Sequence, residues 1–231
     1  MNKLIDKWAL VTGSTRGIGQ QIAIGLAREG CNLIIHGREE SHAAKTLELI
    51  KSYKVKTIVV AGELGKEDEE KKIIKEVIDE IGYVDILYNN AAIGGKWSQS
   101  CFDISMNEWQ ELFGINLFAM VRFCNAFVPL MVKRKWGRVI NLTSGIIDTP
   151  QLTHYSVSKS AVSRFTKELA CELKGTDVLA NALDPGWVKT DLGGEQAEFE
   201  INTILPEALV PALLDNDGPS GEIFSVQEYK K

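Results

Sequence analysis

Short apolar runs alternate with helical patterns along the whole chain, and that rhythm restricts its fold more than any other feature. WALVTG precedes a helical stretch from Gly17 to Glu29, and NLIIHG one from about Glu40 to Tyr53. KTIVVAG leads to a charged helix from Glu67 to Ile81, and VDILYNN to a long apolar helix ending near Lys135. GRVINLTS precedes the helix that carries YSVSK, and DVLANALDP and GEIFSV read as the last strands. Strand–helix alternation at this spacing means crossover connections, hence a parallel sheet with helices on both faces. No linker, repeat or low-complexity stretch divides the pattern, so one doubly wound α/β domain over residues 1–231 is expected.

Composition narrows the partners. A net charge of −5 argues against nucleic acid and against an anionic membrane, both of which attract basic surfaces. Cys31, Cys101, Cys124 and Cys171 are scattered without metal-like spacing, which suits reduced thiols and no metal site. MNKLIDKWALVTGS lacks the apolar run of a secretion signal, so a cytoplasmic protein is expected. LFGINLFAMVRFCNAFVPLMV (112–132) is long and apolar, but Asn116, Arg122, Asn125 and Pro129 interrupt it. A charge at mid-span is costly in lipid, so it reads as a buried helix. The runs EDEEKK and KRKWGR place acids in a first helical turn and bases in a last one, where the helix dipole favours them.

The strand-to-helix junction TGSTRGIG (12–19) is rich in glycine. Gly13, Gly17 and Gly19 permit a tight turn, close backbone approach and close helix packing. Unpaired N–H groups at the helix start make a site for a pyrophosphate. The second strand ends His36, Gly37, Arg38, without the carboxylate that would bond the ribose hydroxyls of NAD. Arg38 and Arg16 together suit a 2′-phosphate, so NADP (NADPH) is the cofactor expected.

With YSVSK at 155–159, NNAA at 89–92, NLTSG before the tyrosine and DPGWVKTD at 184–191, the chain resembles the short-chain dehydrogenase/reductase family along nearly its whole length. The resemblance implies a Rossmann-type fold and hydride transfer between NADP and a carbonyl. DPGWVKTDLGG with DGPSGEIF is similar to the carbonyl-reductase branch, which leaves both a monomer and a homo-oligomer paired through the helices ending near Lys135 and Lys174 open. It implies four catalytic residues: Tyr155 as proton donor, Lys159 tuning it and bonding the nicotinamide ribose, Ser144 steadying the substrate oxygen, and Asn116 holding a water. It implies cofactor contacts from Gly13, Ser14, Thr15, Arg16, Gly17, Ile18, Gly19 and Arg38, and from Glu63 and Leu64 beside the adenine. Asn90, Ala91, Ala92, Tyr155, Lys159, Pro185, Gly186, Val188 and Thr190 complete that set. Ile93, Trp97, Ser144, Ile146, Ile147, His154 and Trp187 flank the substrate, under a short lid at about 187–210. Ala92 stands where the family usually has glycine, and Ser144 precedes Tyr155 by fewer residues than is usual.

Tyr155 and Lys159, four apart, share one face of a helix. A cation there is expected to lower the phenol pKa by about 3 units from about 10, toward neutral acid–base work. A mostly apolar aldehyde, ketone or quinone is the expected substrate. Two other readings are weaker. A Ser144–His154–Asp184 hydrolase lacks a GxSxG elbow. A regulator that binds NADP without turnover would be expected to have lost the tyrosine or the lysine.

Overall fold

The computed structural model describes residues 3–228. Strand β1 (Trp8–Val11) leads to helix α1 (Gly17–Arg28), and β2 (Asn32–Gly37) to a short α2 (Ala44–Ile50). β3 (Thr57–Ala61) is followed by α3 (Glu67–Glu80), and β4 (Ile86–Asn89) by α4 (Met106–Phe113) and α5 (Met120–Arg134). β5 (Gly137–Leu142), α6 (Thr153–Glu172), β6 (Val178–Asp184) and β7 (Ile223–Ser225) complete the chain. The strands form one parallel sheet in the order β3-β2-β1-β4-β5-β6-β7.

The strand sequences explain the layering. Every residue of β2 and β5 is buried, as strands covered on both faces require. Along β2, Leu33 and Ile35 join Ile22, Ala23 and Leu26 of α1 on one face, while Ile34 joins Phe123, Phe127 and Met131 of α5 on the other. That split is the period-two alternation of a strand. The helix Met106–Arg134 is long and apolar enough by length and composition to cross a membrane. Here its apolar side lies against the sheet beside Leu87 and Val139.

Helix ends follow local chemistry. Ser105 and Glu108 form a reciprocal capping box at α4, and four acids, Glu67 to Glu70, occupy the first turn of α3. Lys133 and Arg134 lie in the last turn of α5, as expected. Arg138 from the same charge run is instead buried in β5, donating to the carbonyls of Leu214 and Asp177. Two expectations need correction. The stretch 40–53 is α-helical only over α2, with tight 3-10 turns on either side. The long apolar helix is not uniform, because Gly114–Ala119 between α4 and α5 is a π-helical turn.

Candidate active site

The sheet order reverses between β1 and β4, so the loops leaving those strands part and open a crevice at the strand C-termini. A cavity of about 680 Å³ lies there. Its floor is the glycine loop, where Gly13 and Gly17 have φ of 65° and 57°. A Cβ on Gly19 would sit 2.5 Å from both Gly13 O and Asn90 Nδ2, so only glycine lets the helix close on the loop. Asn90 Nδ2 also donates to Thr12 O at 2.7 Å, fixing the loop to the end of β4. No side chain caps the start of α1, so its first N–H groups remain available to an anion. That donor set fits the pyrophosphate of a dinucleotide.

Gly13, Thr15, Arg16, Gly17, Ile18, Arg38, Glu63, Leu64, Asn90, Ala91, Ala92, Ile93, Pro185 and Thr190 line the cavity. Ser14, Gly19, Gly186 and Val188 do not; they shape the loops behind it. Ser14 is buried, its hydroxyl accepting the His36 N–H at 3.0 Å. Gly186 turns at φ 77° with its N–H on Asp184 Oδ1, and Val188 is buried.

The end of β2 holds a bridging contact that the sequence did not reveal. His36 Nδ1 accepts the Gly13 N–H at 3.0 Å, and Nε2 lies 3.2 Å from Gly62 O. With Nδ1 accepting, the proton belongs on Nε2, so the imidazole is neutral and bridges the glycine loop to the end of β3. Burial lowers its pKa to about 4. Gly37, His42 and Lys45 also line this end, so Lys45 adds a cation to Arg38. Arg16 is engaged: its Nε lies 2.9 Å from Asp191 Oδ2, joining the glycine loop to the segment after β6. Both side chains are exposed, and such pairs add little to stability. The Glu63 carboxyl is held below its usual range chiefly by a hydrogen bond from Lys66.

Tyr155 and Lys159 line the opposite end of the cavity with Leu142 and Thr143. The Ser144 side chain is within hydrogen-bonding reach of Tyr155. Thr143 Oγ1 is committed elsewhere, to Lys159 O at 2.9 Å, which leaves Ser144 as the hydroxyl facing the phenol. Lys159 Nζ donates to Leu142 O at 2.9 Å and stands 5.8 Å from the Tyr155 ring centre. The expected lowering of the phenol pKa is not found. Burial raises Tyr155 to about 12, against the Ser144 hydrogen bond, and Asp184 raises it further. Burial lowers Lys159 to about 8, with Asp184 opposing. Two buried groups each favour their neutral forms when the ammonium bonds a carbonyl rather than the phenol.

Asn116 sits in the π turn, and its Oδ1 and Nδ2 each bond the Ile93 backbone at 2.9 Å. Its amide also donates to Ser158 Oγ on α6, so it ties the loop after β4 to the helix bearing Tyr155. Of the expected substrate residues, Ile93 lines the cavity. Trp97, Ile147 and Trp187 are exposed, and Ile146 donates its N–H to Ser144 Oγ. His154 is buried instead, its Nε2 so close to Gly95 that a Cβ there would lie 2.1 Å away. Among the described residues neither ring nitrogen has a hydrogen-bond partner, and burial lowers its pKa.

Comparison with known proteins agrees with this geometry. The family model described as short chain dehydrogenase matches residues 7–201. A 3-oxoacyl-[acyl-carrier-protein] reductase of Staphylococcus epidermidis is 34% identical over 191 residues, covering 81% of this chain and 78% of the relative. A D-beta-hydroxybutyrate dehydrogenase of Cupriavidus necator is 34% identical over 229 residues, 97% of this chain and 88% of that one. Among solved structures, a 3-oxoacyl (acyl-carrier-protein) reductase from Agrobacterium tumefaciens with NADP bound superposes with a TM-score of 0.87. It is 27% identical, over 96% of this chain and 93% of that chain.

Proposed function

Since the chain belongs to the short-chain dehydrogenase family, we propose that it is an NADPH-dependent reductase of a mostly apolar aldehyde, ketone or quinone. The observation that carries this reading is the Tyr155 phenol with Lys159 one turn along at one end of a cleft floored by the glycine loop, with the Ser144 side chain within hydrogen-bonding reach of the phenol. The cofactor supplies the hydride; the protein supplies position, charge and a proton. The open N–H groups of α1 hold the pyrophosphate. Arg38 and Lys45, with Arg16, line the cavity and would hold the adenosine phosphate. The NADP bound to the related reductase supports the choice of cofactor.

Tyr155 is the acid. A phenol whose pKa is raised to about 12 keeps its proton at neutral pH. The oxygen formed by reduction is the stronger base, so proton transfer from Tyr155 runs downhill. Ser144 donates to the same oxygen as its charge develops. Lys159, mostly charged at pH 7, stabilises the phenolate left behind.

NADPH consumption with a panel of carbonyl compounds tests the proposal. Turnover of several bulky apolar carbonyls is expected, with kcat/KM at least about 10-fold higher for NADPH than for NADH. Turnover of one small charged keto acid alone would show that the pocket has been misread.

A further inference from the structure

Glu70 is a buried carboxylate on α3, away from the reacting groups, and both of its oxygens are taken. Oε1 accepts the Gly65 N–H at 2.7 Å, and Oε2 accepts Arg122 Nη1 of α5 at 2.7 Å. Gly65 has φ 90° and packs on the π turn, where a Cβ would fall 2.9 Å from Ile115 Cγ1. Glu63 and Leu64, just before it, form the cavity wall with Ile115. The carboxylate therefore fixes one wall of the cleft to α5, the helix that continues from the turn bearing Asn116.

Stability alone does not account for such a pair. The Glu70 side chain is fully out of water while that of Arg122 is 32% exposed. Burying a carboxylate is costly, and an apolar side chain of similar size often serves a core equally well. We propose that Glu70, held by Arg122, is a positioning residue for the adenosine end of the cofactor. It sets the Glu63–Gly65 wall through the Gly65 N–H. The inference rests on the reading of the cleft as an NADP site.

The double variant Glu70→Met/Arg122→Met removes both charges together and leaves Gly65 N–H without its acceptor. Thermal unfolding near the wild-type temperature is expected, because packing is kept. Adenosine 2′,5′-bisphosphate, the adenosine half alone, should bind about 5-fold or more weakly, and KM for NADPH should rise in step with kcat nearly unchanged. Reduced nicotinamide mononucleotide, which lacks the adenosine half, should serve as hydride donor as well as it does for the wild type. Glu70→Gln keeps an acceptor for Gly65 and should recover most of the binding. Unchanged affinity for the bisphosphate in either the double variant or a Glu70→Ala variant would overturn the proposal, as would equal losses for both half-cofactors. A wild-type protein that binds neither NADPH nor the bisphosphate would instead overturn the cofactor reading beneath it.

Discussion

At the scale of single residues, the pair in YSVSK was legible because two residue types four apart must share a helix face. Its electrostatics were not. Lys159 turns its ammonium to Leu142 O, and burial then governs both groups. The sign of the pH dependence follows. With Lys159 lowered to about 8, the ammonium is lost as pH rises through that value, while Tyr155 still holds its proton. Carbonyl reduction should therefore be level near pH 7 and fall above about pH 8, measured as kcat against pH under saturating NADPH. A level rate up to pH 10 would remove the Lys159 charge from the mechanism. Cofactor choice has an equally local obstacle. Placing a carboxylate at Gly37 would favour NADH, but a Cβ there meets Thr15 Cγ2 at 2.6 Å. Gly37→Asp with Arg38→Leu should reverse cofactor preference only weakly. Adding Thr15→Ser, which deletes that methyl, should complete the reversal, read as the ratio of kcat/KM for the two cofactors. Equal ratios with and without Thr15→Ser would show that the contact does not matter.

At the scale of elements, β2 does more than carry apolar residues. Its His36 bridges the glycine loop to the end of β3 as a neutral imidazole. The unfolded chain takes up a proton near pH 6.5, while the folded one waits until about pH 4. The unfolded state thus binds more protons between those values, so stability falls as pH drops through that window. The difference amounts to about 3 kcal/mol at most. His36→Leu should erase that segment of the pH dependence and, by stranding the Gly13 N–H, cost about 1–3 kcal/mol at pH 7. Denaturant unfolding of both proteins at pH 7 and pH 5 checks it; identical slopes with pH would contradict the bridge. The sequence hid this role because a histidine inside an apolar run reads only as a strand end. It hid the π turn too, since one extra residue per turn barely disturbs an apolar pattern. That turn directs Asn116 at the Ile93 backbone.

At the scale of the whole molecule, strand–helix alternation was enough to foresee a parallel sheet, and the glycine loop to foresee where its crevice would open. Those features are local and repeat along the chain. What could not be read were contacts between distant segments: Arg16 with Asp191, Glu70 with Arg122, and His154 behind Gly95. Each depends on which loops the fold brings face to face, and no spacing encodes that. The crevice, the donors of α1 and the Ser144–Tyr155–Lys159 group converge on one claim, that Tyr155 gives the proton when a carbonyl accepts hydride. Tyr155→Phe removes one oxygen and little else, so it isolates that claim. NADPH affinity by fluorescence titration should stay near the wild-type value, while turnover of the best carbonyl substrate falls by about 10²–10⁴-fold. Near-full turnover in Tyr155→Phe, with the cofactor still bound, would contradict it.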